Sequence, residues 1–241
     1  MTFTYTRPCA LPPDPPFDLS LPDALKATRW ARGLTPEQFA RVAAETTERA
    51  VPAGGYVARK GKPVEAWLGV IDGLVKINAD SAAGKSVTFA GVTTGGWLGE
   101  GSMLKNEARR YDVVALRDSR VAYLPRATFE WLLDTSIPFN RFLLEQLNER
   151  LGQFIAMVEH DRLLDVDARV ARCLAALYNP LLYPGTTRLL QISQEEVGYL
   201  SGASRQRVNQ ALQVLEREHL LKVEYGGITI LDVEGLRHFR A

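Results

Sequence analysis

The sequence has little of what most redox and cofactor chemistry requires. Its 241 residues hold two cysteines, Cys9 and Cys173, which make neither a disulfide framework nor the thiolate quartet of an iron–sulfur cluster. The three histidines are His160, His219 and His238. None falls between Val51 and Pro125, where strand texture concentrates, so neither a metal enzyme that draws its ligands from strands nor any metal site is expected. His160 alone stands near enough to that region to be weighed as a haem ligand, and a solvated helix-end histidine accounts for it. No run approaches the roughly 18 apolar residues of a spanning helix, and the N-terminus lacks a basic segment followed by an apolar one. No base, nucleophile and metal ligand stand at any usual catalytic spacing. The expectation is a soluble, cytoplasmic, non-enzymatic chain without a cofactor. A net charge of +1 and a pI near 7.8 give no general affinity for polyanions, so any nucleic-acid footprint is local. The length suits two modest domains, each with a core of its own.

One local absence points to such a footprint. Acids are frequent throughout, yet none lies between Val197 and Leu215. There Gln194-Glu-Glu-Val-Gly-Tyr-Leu-Ser-Gly-Ala-Ser-Arg-Gln-Arg-Val-Asn-Gln-Ala-Leu-Gln-Val-Leu215 reads as two helices about a glycine turn. Gly198 gives room for close passage, and Gly202 supplies a left-handed turn residue. Ser193 and Glu196 form a capping box, and Val197, Leu200, Val208, Leu212 and Leu215 mark a shared apolar seam. The second helix starts at Ser204 and exposes Arg205, Gln206, Arg207, Asn209 and Gln210, whose forks match guanine and adenine edges in a major groove. An αα-corner in a helical domain fits the apolar pattern equally, and the polar tip decides for DNA. Glu216 to Leu231 then reads as a strand, a Gly-Gly turn and a second strand, a hairpin wing with Lys222 toward phosphate. Ser193 and Gln194 are expected to touch phosphate as well.

In chain order, residues 1–20 are expected to form a flexible arm, six of the thirteen prolines falling within the first 22 residues. Leu21 to Glu48 fits two short helices, the second opened by Thr35-Pro36. Val51 to Pro125 shows six or more short strands broken by glycine pairs, arguing an antiparallel barrel or roll, with a β-sandwich that binds nothing equally compatible with the pattern. A helix over 139–162 follows. Its heptad stripe of Leu144, Leu147, Leu151, Phe154 and Val158 favours a two-fold dimer over packing within its own domain. Leu164-Asp-Val-Asp167 breaks it as a hinge, and Ala168 to Tyr178 forms another helix.

This order of parts resembles the Crp/Fnr family of bacterial transcription regulators over about residues 21–235. The resemblance implies an α+β chain with an antiparallel, jelly-roll-like sensor domain over 21–135, a dimerisation helix over 136–164 and a winged helix-turn-helix over 165–241. It also implies double-stranded DNA, a second copy of the chain and RNA polymerase as partners. Its most specific motif is Gly99-Glu100 with Arg110. In cyclic-nucleotide-binding members the glycine and helix start offer amides to the phosphate, the glutamate takes the ribose hydroxyl and the arginine neutralises the phosphate. The candidate effector pocket is therefore Gly99, Glu100, Arg110, Tyr111, Phe154 and Ile155. Tyr111 replaces the family's small hydroxyl residue after the arginine, Asp112 following it would set a carboxylate close to a bound anion, and Phe154 and Ile155 stand where adenine-contacting polar residues fall. Cyclic AMP is thus not the expected effector. A Glu100–Arg110 ion pair in a vestigial site and a cyclic-nucleotide-responsive activator remain the alternatives. On the DNA side, Arg205 matches the family's guanine-reading arginine, whereas Gln206 and Gln210 depart from a usual glutamate and arginine, so the half-site is expected to differ from the commonest one.

Overall fold

The computed structural model describes residues 19–80 and 86–240. All but the last two residues of the expected N-terminal arm lie outside that range, as does Cys9. Helices Leu21–Ala27 (α1) and Pro36–Glu45 (α2) precede the strands. The start of α2 is fixed locally: Thr35 and Gln38 form a capping box and a proline sits in the first turn.

The β-rich stretch comprises Thr47–Val51 (β1), Tyr56–Ala58 (β2), Ala66–Asp72 (β3), Leu74–Asp80 (β4), Ser86–Thr93 (β5), Trp97–Leu98 (β6), Asp112–Ala115 (β7) and Ser119–Pro125 (β8). They form two antiparallel four-stranded sheets, in the orders β1-β8-β3-β6 and β2-β7-β4-β5. Val70 and Val121 of one sheet meet Val75, Val92 and Val113 of the other in an aliphatic core. A second, aromatic core closes the roll. Trp67 and Trp97 lie 4.4 Å apart between ring centroids, Trp30 lies 5.1 Å from Trp97, and Phe139 packs on Trp30 and Trp67. Gly69 makes this possible, because a Cβ there would stand 2.5 Å from the Trp97 ring.

Several elements depart from the sequence expectation. Chain expected to be helical up to Glu48 enters β1 at Thr47, and the two-residue β6 and a helix over Arg126–Thr135 (α4) form where no element was expected.

Ile137–Leu163 is one helix (α5) of 27 residues, with Ser136 as N-cap and a proline in its first turn, about 40 Å long at 1.5 Å per residue. Phe139, Leu143 and Gln146 are buried against the roll. The opposite face leaves Leu144, Leu151, Ile155 and Val158 exposed by 67%, 58%, 60% and 47%. Leu147 and Phe154 are half-buried beside them. The helix stops at Leu163, and Asp165 caps the next one, Val166–Ala176 (α6), by accepting from the Ala168 N–H, so the break falls at the expected hinge.

The C-terminal unit adds Leu189–Leu190 (β9), Gln194–Ser201 (α7), Arg205–Arg217 (α8), Leu221–Glu224 (β10), Gly227–Ile230 (β11) and Val233–His238 (α9). Leu174, Val197, Val208, Leu212, Leu215, Ile228 and Leu236 share its core. Roll and C-terminal unit interlock: Leu74 of β4 enters this second core, while Leu182 and Tyr183 enter the roll's. Among the described residues no helix is long and apolar enough to cross a membrane.

Candidate DNA interface and effector pocket

The helix pair is built as its caps dictate. Ser193 accepts from the Glu196 N–H and Glu196 reaches back to the Ser193 N–H. Gly202 ends α7 at φ 67°, in the left-handed region, its N–H donating to Gly198 O. Gly198 is needed for the turn rather than for the second helix, because an added Cβ would lie 2.8 Å from Ala203 O. Ser204 caps α8 by accepting from the Arg207 N–H. Val197, Val208, Leu212 and Leu215 are fully buried; Leu200 is only partly so and turns toward the roll, where it meets Gly91.

Seam burial on one side of α8 sets the opposite side in solvent. Ser204, Arg205, Gln206, Arg207 and Gln210 are exposed and Asn209 is half-buried. The Arg205 and Gln206 side chains make no hydrogen bond or ion pair to any described residue. Arg207 donates to Gln210 Oε1 at 2.7 Å and lies 3.9 Å from Asp167. Gln194 donates to Asn209 Oδ1 at 3.1 Å, which joins the first helix to the second. Strands β10 and β11 form the wing, turning at Gly226 with φ 79°. Exposed Lys222 pairs with Glu224 at 3.1 Å. Tyr225 at the wing tip is fully exposed; the sequence reading did not single it out, although its place beside the turn glycine was the available signal.

At the other site, Gly99 takes φ 99° and opens the single-turn helix Glu100–Leu104 (α3). Glu100 is buried, its Oε1 accepting from Arg150 Nε at 3.2 Å and its Oε2 from Trp67 Nε1 at 3.4 Å. Arg150 reaches in from α5 and also donates to Trp97 O at 2.8 Å. Burial pulls against the Arg150 charge, but Glu100, Tyr183 and Tyr111 more than offset it and hold its pKa above the usual range.

Arg110, expected in this cluster, points outward: its side chain is 68% exposed and pairs with Glu107 at 2.9 Å. Arg109 takes the inward place. Its backbone is pinned on both sides, donating to Lys62 O and accepting from the Gly61 N–H, so the following residue faces away. The Arg109 guanidinium packs over Gly99, where an added Cβ would stand 3.0 Å from Nη1. Burial lowers the Arg109 pKa, with Tyr111, Tyr123 and Glu100 opposing. Burial and Glu100 raise that of the Tyr111 hydroxyl. Gly99, Glu100 and Tyr111 are thus brought together, joined by Arg109 and Arg150, which the sequence reading did not name. Phe154 stands one turn beyond Arg150, while Ile155 lies on the exposed stripe of α5 with Leu151 and Val158.

A roll, a long helix with an unpartnered apolar stripe and a winged helix with a polar recognition helix define a DNA-binding transcription regulator. Residues 48–136 match the cyclic nucleotide-binding domain family, and residues 168–239 match the Crp-like helix-turn-helix domain. The chain belongs to the Crp/Fnr family of transcription regulators. It is 28% identical over 170 residues to the transcriptional regulator SdrP of Thermus thermophilus, spanning 70% of this chain and 80% of that protein. It is 27% identical over 208 residues to the cyclic AMP receptor protein of the same organism, spanning 86% and 94%. Among solved structures, FixK2 from Bradyrhizobium japonicum superposes with a TM-score of 0.68 at 18% identity, over 81% of this chain and 98% of that one, a likeness of fold.

Proposed function

We propose that the protein works as a homodimer on a palindromic operator and needs no cyclic AMP to do so. In this reading residues 21–135 are a sensor domain, 136–164 the dimer helix and 165–241 the DNA-binding domain. The observation that carries the ligand side is the Glu100–Arg150 pair: the carboxylate that would accept ribose hydroxyls already accepts from Arg150 and Trp67. The DNA side rests on exposed Arg205 and Gln206, with Arg207, Asn209 and Gln210 held in position by neighbours. Ser193, Gln194, Lys222 and the wing are the phosphate contacts in this reading, and RNA polymerase is the partner that family resemblance adds.

A second reading, a cyclic-nucleotide-responsive activator, draws on one observation. Arg109 Nη1 and Arg150 Nη1 are buried without a hydrogen-bond partner, and an anion bound beside Gly99 would satisfy them. In that reading Arg109 replaces Arg110 in the cassette.

Selection of bound duplexes from a random pool, with and without cyclic AMP, separates the two. The expected result is one palindrome enriched equally in both arms; enrichment only with cyclic AMP overturns the first reading in favour of the second. Arg205→Ala is expected to cost about 1–3 kcal/mol of operator affinity and to relax one base position per half-site. An unchanged base preference at every position removes Arg205 from the recognition set.

A further inference from the structure

We infer that the open cleft bounded by α5, α6, β5 and the end of α7 is a binding site for an amphipathic anion, a medium-chain carboxylate, seated with its head at the hinge end. The cleft has a volume of about 660 Å³, within the usual range for small-molecule sites. It exists because α5 and α6 are held apart at both ends and lined by small residues between. Asp161 and Arg169 pair at 2.9 Å beside the hinge, and Asn179 donates to Glu149 at 2.6 Å at the far end. Between them stand Gly152, Ala156 and Ala176, and a Cβ built on Gly152 meets nothing within 4 Å.

The two ends differ in chemistry. His160, Arg162, Arg169 and Arg172 gather at the hinge end. Asp161 is the acid among them and is taken by Arg169, whose Nε is nonetheless buried without a partner. Between the two ends the wall is apolar, with Phe89 of β5, Ala156 and Met157 of α5, Leu177 and Leu200, and the far end carries Gln153 and the Glu149–Asn179 pair. The Cys173 thiol in this wall is pushed up to about 12 by burial, so it stays neutral and adds no negative charge. Arg169 and Leu177 are eight residues apart along one helix and its last turn, roughly 12 Å at 1.5 Å per residue, which suits a short alkyl chain with one charged end. An unpaired buried guanidinium donor is the group such a head satisfies.

The position gives the site a consequence, which rests on the regulator reading above. Leu200 belongs to α7, Gly91 of β5 packs on Leu200 and Leu177, and Lys76 Nζ of β4 lies 4.4 Å from the Tyr199 ring centroid. A ligand between roll and winged helix biases their relative placement to the extent that it binds one placement better, and operator and ligand then change each other's affinity by the same factor.

The test is calorimetric titration of the full chain with decanoate and with decanol, beside operator binding measured with and without decanoate. Decanoate is expected to bind one per chain, about tenfold or more tighter than decanol. Arg169→Gln is expected to erase that difference, and Ala156→Phe to abolish binding of both by filling the apolar stretch between the two ends. The Ala156→Phe variant leaves the ion pairs alone, so it decides the matter even where Arg169→Gln impairs folding. No decanoate binding by protein that binds its operator overturns the site, as does binding that both variants leave unchanged. Decanoate binding by protein that enriches no DNA instead overturns the regulator reading and leaves the site standing.

Discussion

Leu151→Glu is expected to turn the protein into a monomer at micromolar concentration while leaving each chain folded. A two-fold seam places residues near its axis against their own copies, so one substitution removes two leucines and sets two carboxylates face to face. Burying a leucine is worth about 1.5–3 kcal/mol, so the pair withdraws about 3–6 kcal/mol before any repulsion, at least about a hundredfold in the dissociation constant. The single chain is spared because Leu151 is 58% exposed in it and belongs to none of its core clusters. Sedimentation velocity reads the outcome directly, and a variant that sediments as a dimer sinks the α5 seam. DNA binding should follow. A dimer whose second recognition helix docks intramolecularly gains about 10²–10⁴ in avidity over one helix alone. The variant should therefore lose that factor on a full palindrome and bind a half-site duplex as the parent does.

How far the sequence could be read depends on what kind of interaction fixes each part. The helix-turn-helix was legible almost residue by residue, because its signals are local: the Ser193–Glu196 capping box, Gly202 at φ 67° and a seam at helical spacing all lie within two turns of what they determine. The break after α5 was legible for the same reason, Asp165 being a cap. The roll was legible as a class, but β1 and β6 were not, since two residues of strand at Trp97–Leu98 carry no periodicity and exist because Gly69 admits the Trp97 ring. The α5 stripe was legible in period and only partly in phase: Leu144, Leu151 and Val158 are exposed as a seam requires, whereas Ile155, expected in the pocket, lies among them. The pocket was the least legible. Which of Arg109 and Arg110 faces inward is set by backbone pairing to Gly61 and Lys62, 47 or more residues away in sequence. Arg150 reaches Glu100 across a separation of 50 residues, and no spacing rule links an arginine of one helix to a glutamate of another at that distance.

That long-range pair carries the second large effect. Arg150→Met is expected to destabilise the protein by about 3–5 kcal/mol, because it leaves the buried Glu100 carboxylate without its ion partner. Trp67 Nε1, at 3.4 Å, is a poor replacement, and Trp97 O loses a donor as well. At about 2–4 °C per kcal/mol for a chain of this size, the melting midpoint should fall by roughly 6–20 °C. The double variant Glu100→Met/Arg150→Met should recover part of the loss, since neither member of the pair is then left as a lone buried charge and methionine fills irregular space, while Arg109 loses the support of Glu100. A single variant that melts within about 2 °C of the parent shows that Arg109 or solvent takes over the carboxylate, and the pair then holds nothing closed. The same melts decide the ligand question from the folding side. A ligand that binds only the folded state raises the midpoint by mass action, about 2.7 kcal/mol at a hundred times its dissociation constant. With Glu100 engaged by Arg150 and Trp67, millimolar cyclic AMP is expected to leave the parent's midpoint where it was. A rise of several degrees would mean that the nucleotide displaces Arg150 from Glu100 and satisfies the unpaired Nη1 donors of Arg109 and Arg150, and the cyclic-nucleotide reading would replace the first.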